Sequence, residues 1–362
     1  MLPPDKADRV AAIRRRLLEF FDREKRVLPW RVDRDPYRVW VSEVMLQQTR
    51  VETVIPYYVR WLARFPDLPA LAAAERDAVL EAWAGLGYYS RARNLHDAAR
   101  VVRDALDGEI PSTAEGLRAL PGVGPYVAGA VASIAFGRAE PAVDGNARRV
   151  LARLFDLDSP TDRELRERAA ELVPEDRPGD FNQALMELGA TVCVPRSPRC
   201  GECPLESLCR SRARGTVESR PPPRRRPAVP TFRIGTAVVV SPAGRALLAR
   251  RREDGLLGGM WEFPGAEAGR SPARAARALA ERLVGDAFGD RPARRIDRVD
   301  HLFSHRRHVY HAYLFRPGHE AEPTVRADWT AAEWVAIDRL DGRALPAAQR
   351  RIAAALAEAV RC

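Results

Sequence analysis

The chain has 362 residues, 30% of them charged, and a formal net charge of +10 carried almost wholly by arginine, since only Lys6 and Lys25 are lysines. That length predicts two domains with a core each, and a guanidinium surplus favours polyanion partners, although an arginine-rich genome produces the same bias. No stretch approaches 18 apolar residues, the start is charged rather than signal-like, and four of five cysteines cluster, so a membrane or secreted protein is excluded in favour of a soluble intracellular one.

From about residue 5 to 209 apolar residues recur at helical spacing, over 8–21, 37–63, 75–84, 91–106, 125–136, 146–156 and 163–173. Prolines and glycines such as Pro66, Gly85, Gly108, Pro121 and Pro160 separate these runs. Residues 211–231, which include a Pro/Arg tract at 220–227, are expected to hold neither helix nor ladder and to form an extended basic linker. Beyond it the period changes. Residues 234–240, 246–249 and 309–315 read as strands, and 272–284 and 347–360 as helices. The expected architecture is a mostly α domain over 1–210, a linker over 211–231 and an α+β domain over 232–362.

Cys193, Cys200, Cys203 and Cys209 are spaced C-x6-C-x2-C-x5-C. Thiolate-only ligation selects zinc or an iron–sulfur cluster. Structural zinc sites more often show two close pairs set apart by a longer stretch, and four cysteines in so short a loop pair poorly as disulfides. The uneven crowding favours one [4Fe-4S] centre over either alternative. Arginines surround it, at Arg196, Arg199, Arg210, Arg212 and Arg214, which points toward DNA.

Residues 120–126, Leu-Pro-Gly-Val-Gly-Pro-Tyr, form a glycine turn feeding a helix of small residues. Gly122 and Gly124 can expose backbone N–H groups at that helix start, a ready site for a DNA phosphate. Two acids stand out. Asp144 precedes a helix beginning near Ala147, where an N-cap is the bland reading. Glu43 has Val39, Trp40 and Leu46 as helical neighbours, so it faces an apolar stripe, and desolvation raises a carboxyl pKa. A protonated glutamic acid beside an ionised aspartate is a pairing that splits a bond to a sugar anomeric carbon.

At these residues the chain resembles the helix-hairpin-helix DNA glycosylases of the endonuclease III-like superfamily, and within them the MutY-type adenine-DNA glycosylases. The likeness rests on Leu28-Pro29-Trp30-Arg31, the Ser42–Thr49 run around Glu43, Gly85-Leu86-Gly87-Tyr88-Tyr89-Ser90-Arg91, the hairpin, Val143-Asp144-Gly145-Asn146 and the four cysteines. It implies removal of adenine mispaired with 8-oxoguanine or guanine in double-stranded DNA, by a monomer in the bacterial cytoplasm, associated with the nucleoid. Glu43 would deliver a proton to adenine N7 and Asp144 would support the cationic sugar, with Tyr126 and Asn146 assisting. Trp30, Arg31 and Glu187 would shape the pocket for the extruded base. Gln48, Leu86 and Tyr88 would fill the gap left in the duplex, and Arg91, Gly122 and Gly124 would contact DNA. Endonuclease III-like relatives carry a Schiff-base lysine where Tyr126 stands here, so the expected enzyme is monofunctional and leaves an abasic site.

Gly259-Met260-Trp261-Glu262-Phe263-Pro264-Gly265 followed by the 272–284 helix resembles a Nudix fold, whose hydrolases need several helix acids to hold Mg²⁺. Residues 277–283 offer Glu281 with Arg277 and Arg282, so no catalytic Mg²⁺ is expected. Phe303-Ser304-His305 matches the loop by which the MutY-type family senses 8-oxoguanine, whose N7 proton an acceptor such as the Ser304 hydroxyl would distinguish. Two other readings compete: a Mg²⁺-dependent phosphohydrolase acting through the C-terminal domain, and a cluster protein that only binds DNA.

Overall fold

The structure is a computed structural model that describes residues 4–222, 228–285, 288, 293–325 and 328–361. Twelve of its helices come first in the chain: α1 (Pro4–Glu24), α2 (Pro36–Leu46), α3 (Val51–Arg64), α4 (Leu68–Ala73), α5 (Arg76–Trp83), α6 (Ser90–Ala105), α7 (Ala114–Arg118), α8 (Pro125–Ile134), α9 (Gly145–Phe155), α10 (Asp162–Leu172), α11 (Pro178–Thr191) and α12 (Arg210–Arg214). The chain divides into two compact units, Met1–Ala73 with Asn94–Arg225, and Ala74–Arg93 with Arg226–Cys362.

In the first unit the apolar faces of α1, α9, α10 and α11 meet in one core, through Ile13, Leu17, Phe20, Val150, Leu165, Phe181 and Leu185. Helix α8 is buried from Val127 to Ile134, as an all-round apolar helix must be. Gly129 lets it pack this closely, because a Cβ there would lie 2.1 Å from the Pro141 carbonyl oxygen. The single helical run expected over 37–63 is broken: α2 ends at Leu46 and α3 begins at Val51, with Gln48 in the left-handed region at φ 58°. Apolar spacing continues across the break because both helices present apolar residues to the same core, so the pattern hides the turn.

The stretch expected to be extended from 211 onward is ordered at its start by α12 and a 3-10 turn, Val217–Ser219. Asp156 explains the difference. It terminates α9 in a left-handed conformation and accepts bonds from Ser211 (3.2 Å), Thr216 (2.5 Å), Arg214 (2.9 Å) and Arg220 (3.2 Å). These partners hold the carboxylate down to a pKa of about 2, Thr216 first and Arg214 second. Residues 223–227, in the Pro/Arg tract, and Cys362 lie outside the described residues.

The second unit has two sheets. Strands β1 (Thr231–Val239), β2 (Arg245–Arg251), β3 (Trp261–Glu262) and β4 (Gly265–Glu267) precede α13 (Pro272–Val284), followed by β5 (Arg294–Leu302), β6 (Arg307–Phe315), β7 (Trp329–Ala336) and α14 (Ala347–Arg361). One sheet runs β4-β1-β6-β5 and the other β3-β2-β7. Strands β1 and β6 are parallel, in register from Thr231↔Arg307 to Val239↔Phe315, and every other pairing is antiparallel. Helix α13 packs Ala276, Leu279, Ala280 and Leu283 against Ala237, Val239, Leu247 and Ala249. Strands β5 and β7 were not expected. The side chains of β5 are mostly polar and exposed, which removes the alternation that reveals a half-buried strand.

Candidate active site

Glu43, Asp144, Tyr126 and Asn146 line one cavity of about 760 Å³ in the first unit, together with Trp30, Arg31, Gln48 and Glu187. The volume suits a base with its sugar. Glu43 sits two turns into α2, only 5% exposed, and the Tyr126 hydroxyl at the start of α8 donates a hydrogen bond to its Oε2. Burial pushes the Glu43 pKa up to about 7; the Tyr126 bond opposes the rise and the Asp144 charge adds to it. Tyr126 itself is held well above its ordinary value, by burial and then by the two carboxyls. It therefore stays a neutral donor.

Asp144 is both a helix cap and a cavity-lining residue. It caps α9, accepting from the Ala147 amide at 2.6 Å, and lines the cavity opposite Glu43's helix. The Asn146 Nδ2 donates to Asp144 Oδ2 at 2.9 Å. Burial raises the Asp144 pKa, while the bonds from Ala147 and Asn146 favour its charged form. Helix α11 brings Glu187 in, and Gly189, two residues later, has Asn146 where a Cβ would go, 2.7 Å from its side chain. Glu187 is buried in a guanidinium clamp: Arg26 Nε at 2.6 Å, Arg26 Nη2 at 3.1 Å and Arg31 Nη2 at 2.9 Å. Burial alone would push its carboxyl up; the two arginines outweigh that and hold it below its ordinary value. Arg31 is fixed further by Gln183 Oε1 (3.0 Å) and the Arg26 carbonyl (3.0 Å).

Of the residues placed here, Arg26, Arg149 and Arg153 were missed by sequence reasoning. Arg149 bonds Asn146 Oδ1 at 2.9 Å, the Gly189 carbonyl at 2.7 Å and the Cys193 carbonyl at 2.7 Å, linking the Asp144 turn to the cysteine loop. Arg153, 2% exposed, reaches five carbonyls of that loop and the segment after it, and the Cys193 sulfur at 3.3 Å. The readable signal is their spacing. Asn146, Arg149 and Arg153 follow one face of α9, an arginine pair on a helix whose other face is apolar.

The four cysteines are free and line a single small cavity with Arg153, Val192 and Pro198. Burial raises the thiols of Cys200, Cys203 and Cys209, that of Cys203 to about 12. Thiolates in that setting need a strong cationic partner, which the iron of a cluster held by the four sulfurs around this one cavity would supply. Among the described residues no group of His, Cys, Asp and Glu is arranged for a single metal ion. The donor set fits an iron–sulfur group.

Gly122, in the left-handed region at φ 72°, and Gly124 turn the chain into α8, with Pro125 in its first turn and no side chain capping it. In the second unit Tyr88 is 44% exposed in a turn at φ 48°, and Leu86 beside it is buried. Arg91, expected to contact DNA, is buried: its Nη2 donates to the carbonyls of Leu86 (3.3 Å) and Gly87 (3.1 Å), and its guanidinium lies over the Trp83 and Tyr88 rings. It braces the turn from inside. Phe303-Ser304-His305 form the tip between β5 and β6, closed by Phe303 N–H to the Arg306 carbonyl at 2.8 Å. The Phe303 ring is held edge-on between His301 (4.5 Å) and His308 (5.0 Å), while Ser304 and His305 are exposed. That tip and the Gly85–Ser90 turn line a common cavity of about 820 Å³.

Residues 41–175 match the HhH-GPD superfamily of base excision DNA repair proteins, 193–209 the iron–sulfur binding domain of endonuclease III, and 235–355 the NUDIX domain. Among solved structures, a thermostable thymine-DNA glycosylase superposes with a TM-score of 0.54 at 29% identity, covering 58% of this chain and 99% of its own. An endonuclease III trapped on DNA shares the fold at a TM-score of 0.51 and 24% identity, over 60% of this chain and all of that one. The rat adenine DNA glycosylase is 38% identical over 95% of this chain and 77% of its own length, and the human one 39% identical over 95% and 73%. With relatives 38% and 39% identical over 95% of its length, the chain belongs to the adenine DNA glycosylase family.

Proposed function

We propose that this enzyme excises adenine paired with 8-oxoguanine, or with guanine, from double-stranded DNA and leaves an abasic site. The observation that carries the reading is Glu43, buried and raised to a pKa of about 7 in the same cavity as Asp144. An extruded adenine enters that cavity against Trp30 and the Arg31–Glu187 pair. Glu43 protonates N7, so the base leaves as a neutral species, and Tyr126 holds the Glu43 carboxyl in place. As the glycosidic bond lengthens, positive charge grows on the sugar, and Asp144, steadied by Asn146, stabilises it. Water completes the hydrolysis.

The uncapped start of α8 after Gly124 supports a phosphate contact. Gln48, exposed at the cavity rim, and Tyr88, exposed on its turn, suit the role of filling the space vacated by the base. Ser304 and His305 offer acceptors to the N7 proton of 8-oxoguanine. Lyase chemistry is not expected, because Tyr126 supplies no amine; Lys6 is paired with Glu171 and Lys25 lies against Phe21. The four cysteines would hold a [4Fe-4S] cluster, bracing the loop that Arg149 ties through Asn146 to Asp144. Helix α13 carries Glu281 alone among its acids, which argues against Mg²⁺-dependent hydrolysis.

A duplex with one 8-oxoguanine·A pair tests the reading. Incubation followed by alkali should cleave the adenine strand at that site, and borohydride should trap no covalent adduct. Intact adenine strand after prolonged incubation with the cluster-loaded enzyme would reject it.

A further inference from the structure

The second unit contains a concavity of about 510 Å³ that the proposed reaction does not use. Strands β1, β5 and β6 form its floor. Arg233 of β1 is in register with Val309 of β6, and on β5 Arg298 is in register with His311 and Arg295 with Tyr313. Alternate residues of a strand share a face, so Arg307, His311 and Tyr313 project together. Helix α13 walls one end at Pro272, whose carbonyl would lie 2.2 Å from a Cβ at Gly235.

Arg233, Arg295, Arg298 and Arg307 thus line one cavity around His311, and among the described residues no carboxylate lines it. Asp300 answers two of the four from the side, 3.3 Å from Arg298 and 2.8 Å from Arg307. Arg233 and Arg295 make no ion pair among the described residues. All four side chains are exposed, so their guanidiniums stand at the mouth of the concavity with His311 part-buried between the strands. The His311 imidazole is held below its ordinary pKa by burial first and then by Arg298, Arg295 and Arg233, so the positive field converges inside the cavity. Four forked guanidiniums with one neighbouring acid match an anion with several acceptor oxygens.

We propose that this cavity binds a phosphate-bearing anion without a metal, supplied either by a free nucleotide or by the backbone of a DNA strand. Arginine forks take the place of the cation that a carboxylate-lined phosphate site requires.

The test uses the full-length, cluster-loaded protein, its R233S/R295S variant and a charge-matched control, R274S/R351S, whose two arginines are exposed on α13 and α14. Each is titrated calorimetrically with inorganic pyrophosphate and with dGDP, with and without EDTA, and bound to an undamaged duplex over a salt series. Pyrophosphate should bind the wild type and the control alike, bind R233S/R295S at least tenfold more weakly, and ignore EDTA. A nucleotide source is supported if dGDP binding falls in parallel and the duplex salt slope matches the control's. A DNA source is supported if that slope drops by about two in R233S/R295S only, since each lost phosphate contact releases roughly one fewer counterion. Should the variant unfold, phenylglyoxal modification of the wild type gives the same answer: pyrophosphate should protect Arg233 and Arg295 and leave Arg274 reactive. Binding that is absent, needs Mg²⁺ or is equal in both variants, or protection that spares neither arginine, overturns the proposal.

Discussion

Glu43 and Asp144 in the first unit meet water very differently from Ser304 and His305 in the second. The acids line one cavity with Trp30 and Tyr126, where burial pushes both carboxyl pKa values up, that of Glu43 to about 7. The hairpin tip stands exposed and is stiffened only from beneath, by the Phe303 ring between two histidines. The contrast fits the tasks proposed for the two sites. A group that must give up a proton near neutral pH needs its carboxylate desolvated, and only a packed wall of side chains does that. A group that must recognise one proton on a base keeps its water until the base replaces it, and discriminates by which acceptor is left unpaired.

The sharpest way to break this contrast is to remove the proton from the buried side. E43Q should retain duplex binding and lose base release by roughly 10³-fold, within the range for general-acid removal; single-turnover rates at saturating enzyme measure it. Base release within tenfold of wild type would move the acid elsewhere. The next largest effect concerns the link between the Asp144 turn and the cysteine loop. R149A removes the bonds to Asn146, Gly189 and Cys193 together. It should slow base release by roughly 10- to 100-fold, the scale of a small misplacement of a reacting group, while the absorbance of the iron–sulfur centre stays close to wild type. Loss of rate only in proportion to loss of cluster would make Arg149 a cluster brace and nothing more.

How much of this was legible in the sequence depended on whether a residue's neighbours are local. Glu43 could be read from Val39, Trp40 and Leu46 on its own helix, and those residues are buried or half-buried around it. Asp144 was legible as a cap because a cap is a three-residue matter. The arginines were not, since their partners are carbonyls and carboxylates far along the chain: Arg26 meets Glu187, and Arg153 meets residues 193–195, 217 and 220. Arg91, expected to contact DNA, is buried with its guanidinium turned inward to backbone carbonyls, an orientation that no local pattern announces. Helix α11, which delivers Glu187, did not stand out either, because it is buried on most sides and so lacks a strong polar–apolar period.

On the exposed side of the comparison effects should be smaller. S304A with H305A should reduce the preference for 8-oxoguanine·A over G·A by about tenfold, the worth of one lost hydrogen bond plus an unpaired partner. The rate on G·A should hardly change. Equal losses on the two substrates would mean that the tip serves general DNA binding, and the distinction between a site that reacts and a site that reads would lapse.

The smallest expected effect is thermodynamic and bears on the same glutamic acid. Folding raises the Glu43 pKa from an ordinary 4.5 to about 7, so between those values the folded protein holds a proton that the unfolded chain has released. Stability from this group is therefore fully present below about pH 4.5 and is lost as pH rises to about 7, beyond which the fold carries a buried charge. E43Q has no proton to lose and keeps a carbonyl to accept from Tyr126. Its melting temperature relative to wild type should climb between pH 5 and pH 8 and then level off, by a few degrees in all. A difference that stays flat across that range would show that Glu43 is not desolvated in the free enzyme, and would remove the physical basis for assigning it the proton that leaves with adenine.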